Sequence, residues 1–202
     1  MTPSLTLRRN NFFELFFPEV NLLTKGLLVL GCSGLMALSS RLALPLPFTP
    51  VPVTGQTLAV LLLSGLLGMR MAVSVQLVYL AQGLAGLPVF APGTTWGVAR
   101  LLGPTGGYLA GFVVAAGIVG WMADRGFGKR LGSAFVMVFL GNFAILGVGL
   151  PWLKWVLRVD WMQAVTLGLW PFLIGDLYKI VLAAMLLPGS WRFFNRMHPP
   201  AA

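Results

Sequence analysis

The chain has 202 residues, 57% of them apolar and only 9% charged, and its mean hydropathy is +0.86. A soluble domain carries about 25% charged residues, so this balance excludes one and points to an integral membrane protein in contact with lipid. The net charge of +9 does not signal a nucleic-acid binder: the basic residues stand singly between apolar runs, as topogenic charges do, and form no basic or aromatic–basic stripe.

The first 24 residues set Arg8, Arg9, Glu14 and Glu19 around Phe12, Phe13, Leu15, Phe16 and Phe17. A cleaved signal peptide has a cleaner apolar centre followed by small residues. Residues 1–24 therefore read as a retained interfacial arm. Six apolar runs follow, at 25–43, 56–68, 71–87, 104–122, 132–150 and 172–187. Several are shorter than the roughly 20 residues that cross a bilayer untilted. The expected fold is an all-α membrane protein, a single six-transmembrane-helix bundle over 25–190, with a cytoplasmic tail at 191–202.

The first run holds Cys32, the chain's one cysteine, which excludes an intrachain disulfide. It also holds Ser33 and Ala37, with Gly31, Gly34 and Ser40 nearby. Small residues at a spacing of four let helices approach closely, which suits docking of a partner or packing within the chain. The connection Leu44–Thr54 contains four prolines and cannot be regular helix. The second and third runs are separated only by Gly68, Met69 and Arg70, which predicts a tight helical hairpin.

The next connection, Gly86–Arg100, is long, apolar and aromatic. Irregular backbone at membrane depth is tolerated where protein buries it or where it lines a cavity. Both proline-rich connections therefore read as walls of a pocket on the outer face. The fourth run opens on Gly103, Gly107 and Gly111, a helix-packing pattern, with Gly106 and Ala110 repeating it. The fifth connection carries Trp152, Lys154, Trp155, Arg158, Asp160 and Trp161, an interfacial composition, and 162–169 is expected to be a short surface helix.

Pro171 suits a first helical turn, so the last span is expected to start there. This places Asp176 and Lys179 in its first two turns, toward the outer side. Either charge costs about 2.5–3.5 kcal/mol near a bilayer centre, so a pair needs a reason. Their spacing puts both on one helix face, as a self-neutralising bridge or as a polar site facing a cavity. With the N-terminus inside, the inner span ends collect nine basic residues and the outer ends four, which puts both termini in the cytoplasm. The one histidine, His198, lies in the polar tail. No Cys/His constellation suggests a metal, and no cofactor is expected.

Four segments, taken in order, resemble the biotin-specific BioY family, the substrate-binding S components of energy-coupling-factor (ECF) transporters. They are Pro47-Phe-Thr-Pro-Val-Pro-Val-Thr-Gly-Gln-Thr57, Gly86-Leu-Pro-Val-Phe90, Gly103-Pro-Thr-Gly-Gly-Tyr108 and Pro171-Phe-Leu-Ile-Gly-Asp-Leu-Tyr-Lys179. The resemblance implies six membrane helices in a prokaryotic plasma membrane and biotin held near the outer surface. It also implies a transmembrane coupling subunit and cytoplasmic ATP-hydrolysing subunits as partners. The chain itself lacks the GxxxxGK[ST] pattern of an ATPase.

In that family the first helix often docks the coupling subunit through an Ala-xxx-Ala pattern. Here the nearest match is Ser33-xxx-Ala37. For a ligand with a cyclic urea and a carboxylate, Asp176 can accept from the urea and Lys179 can donate to its carbonyl. Arg100 suits the carboxylate, since a guanidinium binds it bidentately; the exchange of Arg100 and Lys179 fits the same chemistry. Gln56, Thr54, Tyr108, Gln82, Phe90 and Trp96 are further expected contacts. Two other readings use the charged pair differently: a solo ion-coupled transporter, or a membrane-embedded enzyme with Asp176 and Lys179 as acid and base. Against the enzyme stand the lack of an intramembrane histidine, of a metal constellation and of an activated nucleophile.

Overall fold

The computed structural model describes residues 21–93 and 95–197. The arm read at 1–24 lies almost wholly outside the described residues, as do Thr94 and the end of the tail with His198. Helix α1 (Leu22–Arg41) starts where the Asn21 side chain accepts from the Thr24 amide at 2.9 Å. It leads into a two-stranded antiparallel ribbon, β1 (Ala43–Leu44) and β2 (Val53–Thr54), which pairs Ala43 with Thr54 and Leu44 with Val53. This ribbon is an addition to the expected all-helical pattern. The four prolines between its strands forbid helix and favour extended backbone, so the flanking residues meet as a short ladder.

Helices α2 (Gln56–Leu67) and α3 (Met69–Leu84) form the expected hairpin. Gly68 ends one and starts the other at φ 77°, a left-handed corner that glycine adopts without strain. The connection after α3 closes into a short helix, α4 (Gly97–Leu102), which carries Arg100. Helix α5 (Gly106–Asp124) is the most buried of the long helices. Its small residues let α6 (Leu131–Leu157) lie against its backbone: a Cβ added at Gly107 would stand 2.2 Å from Trp152 Cβ, and one at Gly111 would stand 2.9 Å from the Ile145 carbonyl. A 3-10 turn at Phe127–Lys129 links the two.

The later helices outrun their apolar runs. Helix α6 passes through Pro151 and takes in Trp152, Lys154 and Trp155 before Arg158, at φ 54°, stops it. Membrane helices accommodate proline because neighbours re-satisfy the freed carbonyl. Asp160 then caps α7 (Trp161–Gly168) through the Gln163 amide at 2.8 Å, where the sequence leads one to expect a surface helix. Helix α8 (Leu173–Met197) begins two residues after Pro171, with the Phe172 carbonyl accepting from the Asp176 amide at 2.7 Å. It continues past Pro188, so the expected boundary at 190/191 falls inside a helix.

Among the described residues, four helices are long and apolar enough to cross a membrane: α1, α5, α6 and, in α8, Leu173–Phe193. Together with the family described below, they make this a membrane protein. Helices α2 and α3, of 12 and 16 residues, are shorter than an untilted span. Exposed leucines on α1 (Leu27, Leu30, Leu35, Leu38) and Phe139 and Phe143 on α6 give the bundle an apolar exterior. Of the two readings open for Ser33, its surroundings favour packing within the chain. Ser33 is fully buried and its hydroxyl donates to the Leu30 carbonyl at 2.9 Å, so it packs within the chain. The small residues that α1 turns outward include Gly26, Gly31 and Gly34, with Ala37 half-buried.

Candidate functional site

A cavity of about 590 Å³ of atom-free space, counting its open mouth, lies at the end of the bundle that carries the two proline-rich connections. One side is the ribbon connection, with Val51, Pro52 and Thr54. Opposite stand Phe90, Ala91 and Arg100 from the second connection and α4. The body is apolar: Leu109 and Phe112 of α5, Ile145 and Leu146 of α6, and Phe172 before α8. Asp176 and Lys179 enter from the first two turns of α8, and Gln56 and Thr57 from the start of α2.

Asp176 is buried, and Lys179 Nζ donates to its Oδ1 at 3.2 Å. The second carboxylate oxygen accepts from Asn142 Nδ2 of α6 at 3.4 Å. Arg100 is also buried and lies so close to the backbone at Gly93 that a Cβ there would stand 2.5 Å from Nη1. Burial lowers the pKa of this guanidinium from its usual value, with the nearby Tyr79 working the other way; arginine stays charged regardless. No side-chain bond from the guanidinium to a described residue consumes its donors. The cavity thus presents one bridged anion–cation pair and one cation with donors to spare.

Gln56 is held by its amide donating to the Tyr79 hydroxyl at 2.6 Å, and that hydroxyl donates to the Val89 carbonyl at 3.0 Å. Ser40 donates to the same carbonyl at 2.8 Å, and Arg41 donates to the Pro88 carbonyl. These bonds pin the connection that bears Phe90. The Phe90 ring stands edge-on to Tyr79 at 5.4 Å and fills the space that a side chain at Gly83 would occupy. Across the cavity, Thr49 donates to the Leu167 carbonyl of α7 at 2.6 Å, tying down the ribbon connection.

Of the nine residues expected at the site, seven line the cavity: Asp176, Lys179, Arg100, Gln56, Thr54, Tyr108 and Phe90. Tyr108 has its hydroxyl proton committed to the Gly168 carbonyl at 2.8 Å. The other two lie elsewhere. Gln82 is not among the lining residues and its carbonyl accepts from the Leu87 amide, closing the turn after α3. Trp96 is 51% exposed at the start of α4 and also lies outside the lining. Asn142 escaped the sequence reading, although a lone amide within the apolar 132–150 run was its signal. Among the described residues no cluster of three or more His, Cys, Asp or Glu side chains could hold a metal ion.

An apolar, multi-helix membrane bundle with a cavity on which a few polar groups converge is the architecture of a membrane-embedded small-molecule binder. Residues 13–196 match the BioY family, and the chain belongs to that family. It is 38% identical over 159 residues to the biotin transporter BioY2 of Lactococcus lactis subsp. cremoris, covering 79% of this chain and 85% of that one. It is 36% identical over 144 residues to the biotin transporter BioY of Thermotoga maritima, covering 70% and 81%. The fold matches the crystal structure of an S-component for biotin from an ECF-type ABC transporter, with a TM-score of 0.75 at 22% identity over 86% of this chain and 95% of that one. The relatives named here are transporters, and neither is an enzyme.

Proposed function

We propose that this protein is the biotin-binding S component of an ECF-type vitamin importer, capturing biotin at the outer face for ATP-driven uptake. The observation that carries the reading is the convergence of Asp176, Lys179 and Arg100 on one apolar cavity. Biotin has a urea ring with two N–H donors and one carbonyl, an apolar body, and a carboxylate at the end of an alkyl chain. Asp176 accepts from the urea nitrogens and Lys179 donates to the urea carbonyl. Arg100, whose donors are not consumed, pairs with the carboxylate, and the apolar walls take the rings and chain.

The rest of the reading follows from family and charge. Six helices span the plasma membrane, the short α2 and α3 among them, within one transmembrane domain flanked by the N-terminal arm and a short cytoplasmic tail. Both termini are cytoplasmic, which puts the cavity outside. A transmembrane coupling subunit and cytoplasmic ATPase subunits supply the energy. On α1 the coupling subunit meets Gly31 and Gly34 with Ala37 at the margin, since Ser33 is turned inward.

Titration of the purified chain against biotin, desthiobiotin and thiamin tests the binding reading. Tight binding of biotin, with thiamin failing to compete, is the expected result. Failure of biotin to bind, or equal binding of thiamin, overturns it. Uptake by vesicles lacking any ATPase, driven by a pH jump, would instead establish a solo ion-coupled transporter.

A further inference from the structure

Asn142 stands alone as a polar side chain in the apolar stretch Phe139-Leu-Gly-Asn-Phe-Ala-Ile-Leu146 of α6. It is 5% exposed, its Nδ2 donates to Asp176 Oδ2 at 3.4 Å, and its Oδ1 is buried without a partner. An apolar residue in this place would carry no idle acceptor, and a buried polar atom without a partner is unfavourable. Packing alone therefore does not account for an asparagine here.

Its position relative to the cavity gives the account. A second, apolar groove of about 1,150 Å³ of atom-free space runs between α6 and α8. Two residues, Leu146 and Asp176, line both hollows, while Asn142 lines only the groove. Asp176 is thus a shared wall, gripped on one oxygen by Lys179 and on the other by Asn142 from behind.

We propose that Asn142 is a positioning residue: it holds the Asp176 carboxylate in the orientation that accepts the ligand's N–H donors, and keeps it from closing entirely onto Lys179. This rests on the biotin reading above. A carboxylate oxygen has about two acceptor sites, so one bond from Lys179 and one from Asn142 leave an acceptor direction on each oxygen. Remove Asn142 and nothing described opposes rotation of the carboxylate into a two-oxygen grip on the Lys179 ammonium. The pair then neutralises itself and the urea loses its acceptor.

The test is a double-mutant cycle on the purified full chain with labelled biotin, with binding by the unaltered chain as its reference. Asn142→Leu is expected to weaken biotin about ten- to a hundredfold, the range for a hydrogen bond to a charged group, while ligand-free thermal stability stays near that of the unaltered protein. Asn142→Ala, which adds no volume, is expected to match it, so that a packing fault of leucine is recognised. Asn142→His, which keeps a nitrogen at the same reach, is expected to recover part of the loss. In an Asp176→Asn background, Asn142→Leu is expected to add no further loss. Unchanged binding by Asn142→Leu and Asn142→Ala, or an undiminished loss in the Asp176→Asn background, overturns the positioning role. If the unaltered chain fails to bind biotin, the biotin reading itself falls, and this one with it.

Discussion

Lys179 lies one turn beyond Asp176 on α8 with its Nζ 3.2 Å from the carboxylate, and the two side chains are only 12% and 11% exposed. The pair is both a bridge and part of a cavity wall. The two roles are compatible, because each charge of a bridged pair is partly satisfied by its partner until a ligand competes for it. Stability and binding then share one contact.

Asp176→Asn and Lys179→Ala should each remove most biotin binding. Truncating one member of a buried, hydrogen-bonded charge pair typically costs about 2–5 kcal/mol, which corresponds to a loss of about 30-fold or more. Monodisperse elution in detergent would show that each variant still folds. Tight binding by both variants would contradict the site.

Arg100 and Lys179 should separate by ligand. If Arg100 takes the carboxylate, Arg100→Ala weakens biotin by at least about tenfold, the lower range for a hydrogen bond to a charged group, and hardly changes the already weaker binding of biotin methyl ester. Lys179→Ala should weaken both ligands alike. The opposite pattern in a competition assay would assign the carboxylate to Lys179.

Tyr79→Phe should loosen the connection that bears Phe90. It removes the hydroxyl bonded to both Gln56 and the Val89 carbonyl, leaving the buried Gln56 amide unpaired at about 1–3 kcal/mol and the carbonyl held by Ser40 alone. Faster limited proteolysis between residues 86 and 96 and a lower melting temperature are the expected signs. Gly83→Ala should act at the same place, since its Cβ would meet the Phe90 ring at 2.0 Å.

Topology is accessible through the single cysteine. In a Cys32→Ser background, new cysteines at Leu46 and Arg158 should react with an impermeant thiol reagent applied outside whole cells. Cysteines at Arg70 and Gly126 should react only after permeabilisation. The reverse pattern would invert the orientation and put the cavity inside.

The elements that were legible beforehand are those governed by local chemistry. Gly68 marked the hairpin corner, the prolines of 44–54 forbade helix, and the Asp176–Lys179 spacing marked one face of the last span. Helix ends were less legible: α6 and α8 run past Pro151 and Pro188 because their surroundings, not their local sequence, settle where backbone bonds end. Side-chain direction was the least legible. Gln82, Trp96 and Ser33 are of suitable types in suitable segments, and only the packing of α1, α3 and α4 shows that they face elsewhere. Asn142 was missed for the related reason that its partner lies 34 residues away.

The bond from Thr49 to the Leu167 carbonyl, with the Ser40 and Tyr79 bonds to Val89 opposite, holds the roof of the cavity by contacts in which a ligand has no part. We infer that ligand exchange requires these ties to open. Ligands gripped with very different strength inside would wait for the same opening event, so dissociation rates should converge on a common ceiling. Cutting the Thr49 tie should raise that ceiling for all of them at once.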